Sequence, residues 1–272
     1  MVIKDKYIIM PDIHGRRFWK KPLKEYPREQ YPDMRFIFLG DYLDPYFPYE
    51  EYTKEDAFVN FEEILDTARQ DDRIILLLGN HDWHYIFETD VCRIDFTRKT
   101  DIRAMFVDNI DLFRFAYTCE NNNGKKYLFT HAGVTNGWLK VVDTVLNGII
   151  YYSKTEQEIK DRMQKILQEF DSDKPIEEKL NGLLDVNDTS KNVIVDMVSF
   201  FRGGRLDFGS FIWADAQEHE YKENELPGYY QIFGHTITYP DGQYSYKITD
   251  NWAMIDASQA FVLETNGELK PY

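Results

Sequence analysis

Five short apolar runs constrain the fold most, because a cluster of glycine and polar residues follows each of them at once. The runs span residues 7–10, 36–39, 74–78, 127–129 and 230–233. Continuous apolar runs of this length, bounded by turn residues, are typical of strands that are buried on both faces. Open α/β sheets place their sites just past the carboxyl ends of such strands. The sequence therefore predicts an α/β fold with polar groups gathered at one sheet edge.

Helical periodicity separates the runs. Apolar residues recur at helix spacing after Glu55 and Asp56, and again after Thr155 and Glu158, a pair with capping-box spacing. The stretch from about 137 to 198 has no run followed by a polar cluster, so a mostly helical insertion is predicted there. Two more strands are expected at 252–256 and 260–264. A length of 272 residues fits a single domain over 1–272 that contains this insertion.

Composition and charge exclude several classes of partner. The chain has 47 acidic and 32 basic residues, a net charge of −15, and no basic run of the kind that binds a nucleic-acid backbone. No apolar run approaches the roughly 18 residues of a membrane span, and the N-terminus lacks the features of a signal peptide. Cys92 and Cys119 have no paired spacing, which favours free thiols in a reducing compartment. We therefore expect a cytoplasmic protein without membrane or nucleic-acid partners.

Side chains suited to metal binding follow the apolar runs. Four of the six histidines lie there with oxygen donors beside them: His14, His81, His131 and His235, with Asp12, Asp41 and Asn80. Imidazole and hard oxygen ligands suit Mn, Fe, Zn or Ni and exclude a soft copper or iron–sulfur site. A single such histidine is more often a solvated loop residue than a ligand, but five clusters in order, each after a strand pattern, favour a metal site.

The five clusters together resemble the signature of the calcineurin-like metallophosphoesterases: Asp12-x-His14, Gly40-Asp41-x-x-Asp44, Gly79-Asn80-His81-Asp82, Thr130-His131-Ala132-Gly133 and Gly234-His235. Phe211-Ile212-Trp213-Ala214-Asp215 and Ile255-Asp256 follow in the order of the serine/threonine phosphatase branch and its bacterial relatives, which include symmetrical dinucleoside-tetraphosphatases. The resemblance implies a β-sandwich of two mixed sheets flanked by helices, and a metal-dependent hydrolase of phosphoesters.

The resemblance also implies a ligand set for two divalent ions. Asp12 and His14 are expected to bind the first ion, and Asp41 to bridge both. The second ion is expected on Asn80, His131 and His235. Manganese is the expected metal, with iron, zinc and nickel as alternatives.

For the chemistry, the resemblance implies direct attack on phosphorus by a hydroxide that bridges the two ions. His81 is expected to protonate the leaving oxygen, and Asp44 to orient the imidazole ring and favour its cationic form.

One departure from the family pattern concerns the residue that binds the substrate phosphate. The phosphatase branch has Arg-Gly after the second motif, where this chain has Pro45 and Tyr46. Arg202 and Arg205 are the candidate replacements, because a guanidinium binds phosphate oxygens in a bidentate manner. Alternatively, both are solvated loop charges, and the weaker candidates are then Arg16 and Arg17.

The leading functional prediction is a phosphomonoesterase of the phosphoprotein-phosphatase type, with a phosphorylated substrate as its partner. The first alternative is hydrolysis of a dinucleoside polyphosphate or another small phosphoester. The second is a non-catalytic metal-binding scaffold, which is disfavoured because all six ligands and the pair of His81 and Asp44 are present.

Overall fold

Two mixed β-sheets form the centre of the structure, a computed structural model that describes residues 4–46, 50–87, 93–153, 156–237 and 244–272. The strands in these residues are β1 (Tyr7–Met10), β2 (Arg35–Phe38), β3 (Ile74–Leu77), β4 (Phe113–Arg114), β5 (Tyr117–Glu120), β6 (Lys126–Phe129), β7 (Tyr230–Phe233), β8 (Lys247–Ile248), β9 (Trp252–Met254), β10 (Phe261–Leu263) and β11 (Leu269–Pro271). One sheet has the order β11-β10-β1-β2-β3-β4 and the other β5-β6-β7-β9-β8.

Parallel pairs form the centre of each sheet. Strands β1 to β4 are parallel in the first sheet, while β10 runs antiparallel to β1 and β11. In the second sheet β7 is parallel to both β6 and β9, and β5 and β8 are antiparallel edges. The two predicted C-terminal strands exist as β9 and β10, but they belong to different sheets.

Helices flank the sandwich: α1 (Lys20–Glu25), α2 (Lys54–Gln70), α3 (Asn80–Ile86), α4 (Lys99–Asp108), α5 (Asn136–Tyr152), α6 (Gln157–Asp171), α7 (Ile176–Asn181) and α8 (Asn192–Val195). Helix α2 starts with a capping box, in which the Thr53 hydroxyl accepts from Asp56 N and the Asp56 carboxylate accepts from Thr53 N. Helices α5 to α8 lie between β6 and β7 in the chain. Thr155 of the expected capping box lies outside the described residues.

The strands of the first sheet alternate between two cores. Side chains that point between the sheets include Ile9, Ile37, Leu77, Phe129 and Ile232. Those at alternate positions pack with the helices, in a cluster that includes Ile8, Phe36, Leu76, Phe61 and Phe106. Because both faces are covered, these strands need apolar residues at consecutive positions. The predicted sandwich of two mixed sheets with flanking helices is confirmed.

Two of the smaller expectations concern cysteine and the membrane. Cys119 is buried as a free thiol, and Cys92 lies outside the described residues. Across the described ranges, no helix combines the length and the apolar character that a membrane crossing requires.

Candidate metal centre

A cavity of about 410 Å³ opens at the edge where the parallel strands β1, β2, β3 and β7 end. Its lining residues are Asp12, His14, Asp41, Tyr46, Asn80, His81, Arg93, Arg202, Trp213 and His235. His131, which follows β6, is fully buried within hydrogen-bond distance of Asn80. The structure thus brings together all six expected metal ligands and His81.

The turns around the cavity hold side chains in left-handed backbone. Of the six non-glycine residues with positive φ among those described, five line the cavity or contact His81: His14, Asp41, Asp44, Arg93 and His235. This conformation costs about 1–3 kcal/mol per residue and persists only where the surroundings enforce it. Gly79 allows the Asp41 side chain to lie against its backbone, because a Cβ at position 79 would collide with Asp41 Oδ1.

Asp41 belongs to two groups of potential ligands. Asp12, His14 and Asp41 form one group, and Asp41, His131 and His235 form the other, with the ligand atoms of each within 4.8 Å of one another. Asp41 Oδ2 lies 3.6 Å from Nε2 of His14 and 3.6 Å from Nε2 of His131. A single carboxylate oxygen therefore faces both groups.

Backbone carbonyls fix the tautomers of two of these histidines. His14 Nδ1 donates to Leu43 O at 2.7 Å, and His131 Nδ1 donates to Leu39 O at 2.8 Å. Because a carbonyl only accepts, the proton resides on Nδ1 in each neutral ring. The lone pair on Nε2 then points toward Asp41, which is how metal-binding imidazoles are commonly oriented.

The donor atoms in the second group fit a cation better than they fit one another. His131 Nε2 lies 3.0 Å from Asn80 Oδ1 and 3.1 Å from His235 Nδ1. His235 Nε2 is buried without a hydrogen-bond partner among the described residues. With its proton on Nδ1, His131 presents a lone pair on Nε2 to the lone pairs of Asn80 Oδ1, and these repel unless a positive charge lies between them. Imidazole, amide and carboxylate donors suit a borderline or hard divalent ion.

Burial keeps His14 and His235 in the neutral form that binds metals. It lowers the pKa of His14 and of His235 well below the ordinary value, so both rings are neutral at pH 7. Burial raises the pKa of Asp12. It also opposes ionisation of Asp41, but His131 and His81 outweigh that effect and lower the pKa of Asp41.

Backbone amides position the carboxylates. His235 N donates to Asp12 Oδ1 at 2.9 Å, and His81 N donates to Asp41 Oδ1 at 3.0 Å. Asp82 joins the turns after β2 and β3, because it accepts from Asp41 N at 2.7 Å and from Gly79 N at 2.8 Å. These bonds hold the carboxylates of Asp12 and Asp41 in place.

His81 and Asp44 form a hydrogen-bonded pair beside the cavity. His81 Nδ1 lies 2.6 Å from Asp44 Oδ2, and Tyr85 OH donates to Asp44 Oδ1 at 2.6 Å. The backbone N–H of Asp95 in turn donates to Tyr85 OH at 2.7 Å. Both oxygens of Asp44 are engaged, so the ring of His81 is fixed and lines the cavity.

The two predicted arginines differ in position. Arg202 lines the cavity, with Nη2 donating to His235 O at 2.8 Å and Nε lying 3.1 Å from Asp215 Oδ2. Arg205 is exposed and is not among the described residues that line the cavity. The reason is a turn in which Gly204 N donates to Ser199 O and Gly203 has φ 82°. The glycines serve this turn rather than a close approach to the cavity.

Arg93 lines the cavity although no sequence motif singles it out, and it lies there beside Tyr46, which follows the second motif. The guanidinium carbon of Arg93 lies 3.6 Å from the centroid of the Tyr46 ring. Arg93 follows no predicted strand, and 47 positions separate the two residues in the chain. No local sequence signal could have paired them.

The structure is a sandwich of two mixed sheets with two groups of potential metal ligands that share Asp41. The model of the calcineurin-like phosphoesterase family matches residues 6–239. The chain therefore belongs to the calcineurin-like phosphoesterases, metal-dependent hydrolases that act on phosphoester bonds.

Among solved structures, the chain is similar to a protein serine/threonine phosphatase from Saccharomyces cerevisiae with similarity to human phosphatase PP5. The identity is 10% and the TM-score 0.48, over 99% of this chain and 80% of that one. No curated protein matches this sequence.

Proposed function

We propose that this chain is a binuclear metal-dependent phosphomonoesterase of the phosphoprotein-phosphatase type. The observation that carries the proposal is the position of Asp41, whose Oδ2 lies 3.6 Å from a histidine of each ligand group. Two ions about 3.5–4 Å apart need one shared carboxylate. His81 lines the same cavity, so a proton donor stands beside the proposed ions.

In this proposal the two ions share Asp41 and differ in their other ligands. Asp12, His14 and Asp41 hold the first, and Asp41 with Asn80, His131 and His235 holds the second. Two divalent ions, when bound, supply an acidified water and Lewis-acid stabilisation of the phosphoryl oxygens. Manganese suits this set of imidazole and oxygen donors, as do iron, zinc and nickel.

His81 is the proposed general acid. Its Nδ1 faces the carboxylate of Asp44 at 2.6 Å, which favours the imidazolium form and directs Nε2 to the cavity. Nε2 gives its proton to the leaving oxygen as the bond to phosphorus breaks. Water attacks phosphorus directly, so no phosphoryl group is transferred to the protein.

Arg202 is a proposed substrate-binding residue. Its guanidinium lines the cavity, and its bonds to His235 O and Thr236 Oγ1 fix its position beside the second group of ligands. A guanidinium held in this way can donate to a phosphoryl oxygen.

The experiment is a substrate panel measured after chelator treatment and after reloading with manganese. We expect hydrolysis of p-nitrophenyl phosphate and of phosphoserine peptides by the reloaded protein, and none after chelation. Full activity in the chelated protein would contradict metal dependence. Faster turnover of bis(p-nitrophenyl) phosphate than of either monoester would contradict the assignment as a monoesterase.

Dinucleoside polyphosphates are the second candidate substrates, because aromatic rings border the ligands. Tyr46 lies edge-on to His14, with ring centroids 4.9 Å apart, and Trp213 lies edge-on to His235 at 5.8 Å. Such rings can stack on a nucleobase. Dinucleoside tetraphosphate therefore belongs in the panel, and its preferential cleavage would favour this candidate.

A cytoplasmic location is part of the proposal. It rests on Cys119, a buried free thiol of the kind that persists in reducing compartments. Fractionation of the producing cell tests it.

A further inference from the structure

Arg93 and Arg202 line the cavity and Arg16 contacts the backbone of Asp12 beside it, and of these three arginines Arg16 and Arg202 already have carboxylate partners. Arg16 Nε donates to both oxygens of Glu50, at 3.2 and 3.0 Å, and Arg16 Nη1 donates to Asp12 O at 3.1 Å. Arg202 lies beside Asp215, with 3.1 Å between Nε and Oδ2. Much of the charge of these two side chains is compensated inside the protein.

Arg93 is held differently. Its guanidinium lies flat against Tyr46, and its Nη2 lies 3.4 Å from Nε2 of His81. Its Nη1 is buried, and no hydrogen-bond partner for it exists among the described residues. Within that part of the chain, no carboxylate pairs with Arg93. Among the described residues, Arg93 therefore places N–H groups without a partner next to His81 Nε2. That nitrogen is the atom proposed to protonate the leaving oxygen.

We propose that Arg93, supported by Tyr46, binds the non-bridging oxygens of a phosphomonoester dianion, a proposal that rests on the function inferred above. The leaving oxygen must come within about 2.6–3.2 Å of His81 Nε2 to receive its proton. The phosphoryl oxygens next to it are then within reach of the neighbouring guanidinium. Stacking covers the face of the guanidinium and leaves its N–H groups at the edge free to donate.

Tyr46 is the positioning residue of this pair. It stands two residues after Asp44, in the segment where the sequence has Pro45 and Tyr46 in place of an arginine and a glycine. Its ring also lies edge-on to His14 and 5.4 Å from the guanidinium carbon of Arg16. The chain thus supplies an arginine from a distant segment and fixes it on an aromatic ring.

The charge of Arg93 predicts selectivity for dianions. The net charge of the chain is −15, so anionic substrates gain nothing from the protein as a whole. A local cation without a carboxylate partner favours a phosphomonoester, with two negative charges, over a diester with one.

The test compares Arg93→Ala and Arg93→Lys with Arg205→Ala, an exposed arginine outside the cavity that serves as the matched control. Arg93→Ala should lower kcat/KM for p-nitrophenyl phosphate by about 10- to 100-fold, the effect of losing a charge-assisted hydrogen bond. The inhibition constant of inorganic phosphate should rise by a similar factor. Hydrolysis of bis(p-nitrophenyl) phosphate should change less than threefold, and metal content should not change. Arg93→Lys should recover part of the loss.

Variants of Tyr46 test its supporting role. Tyr46→Phe keeps the ring and should keep phosphate inhibition near the wild-type value. Tyr46→Leu removes the ring and should weaken phosphate inhibition several-fold, mainly through KM. Equal behaviour of the two variants would refute the role of the ring.

Three results would overturn the proposal for Arg93. The first is an unchanged phosphate inhibition constant in Arg93→Ala. The second is an equal loss on monoester and diester, which would assign Arg93 to positioning of His81. The third is a loss confined to substrates whose leaving group is itself a phosphate. If the wild-type protein loaded with manganese hydrolyses no phosphoester, the proposed function fails, whereas calorimetric binding of inorganic phosphate still tests Arg93.

Discussion

Replacement of His81 by alanine separates proton donation from metal binding. His81 contacts Asp44 through Nδ1 at 2.6 Å, and its side chain is absent from both ligand groups that share Asp41. We therefore expect metal content to stay near the wild-type value. General acid catalysis contributes about 10²–10⁴-fold to kcat, or roughly 3–5 kcal/mol of transition-state stabilisation. The loss should reach this range for alkyl phosphates, whose leaving oxygen needs a proton.

Substrates with different leaving groups should respond differently to the loss of His81. p-Nitrophenolate leaves without a proton, so His81→Ala should affect p-nitrophenyl phosphate much less than an alkyl phosphate such as phosphoserine. The assay is steady-state kinetics on both substrates, with metal content determined on the same samples. His84→Ala is the matched control, because His84 belongs to the same helix but does not line the cavity.

Two outcomes would refute this reasoning. Equal losses on the alkyl and aryl substrates would show that His81 binds phosphate or substrate rather than donating a proton. A loss of bound metal in His81→Ala would show that the histidine supports the ligands.

Asp44, the shared carboxylate of Asp41 and the buried ring of His219 each give a further prediction. Asp44→Asn removes the charge that favours the imidazolium, so it should show a milder form of the dependence on leaving group, and a loss that is equal on both substrates would count against it. Manganese should raise the midpoint of thermal unfolding, because it binds only the folded ligands, and Asp41→Asn should reduce this shift; an identical shift in both proteins would contradict the shared ligand. Burial lowers the pKa of His219 to about 4 from an ordinary 6.5, so the unfolded state binds the proton first as the pH falls, and the free energy of unfolding should decrease by about 3 kcal/mol between pH 6.5 and 4. Denaturant titrations should show a shallower pH dependence for His219→Gln, and equal slopes would disprove this assignment.

The convergence of the proposed metal ligands could be predicted because each lies within a few residues of a strand end. An apolar run fixes where a strand stops, and parallel strands bring their carboxyl ends to one edge. The positions of Asp12, Asp41 and Asn80 therefore follow from the strand ends and depend little on the conformation of the loops. Histidines after β6 and β7 reach the same place because those two strands are also parallel.

The arginines could not be predicted in the same way. Their positions depend on the path of loops that leave no periodic pattern in the sequence. The turn at Gly203 directs Arg205 to solvent, and Arg93 reaches the cavity by stacking on a ring 47 positions earlier in the chain. The sequence also could not show that β9 and β10 belong to different sheets. Both are short apolar runs, and only their pairing partners distinguish them.

Anomalous diffraction from crystals grown with manganese shows how many ions bind and which of them contact Asp41, and so tests whether the centre is binuclear. We expect two manganese positions in each chain, both in direct contact with the carboxylate of Asp41. Asp12 and His14 should complete the first contact set, and Asn80, His131 and His235 the second. A single manganese ion, or a pair of ions of which only one contacts Asp41, would contradict the binuclear centre.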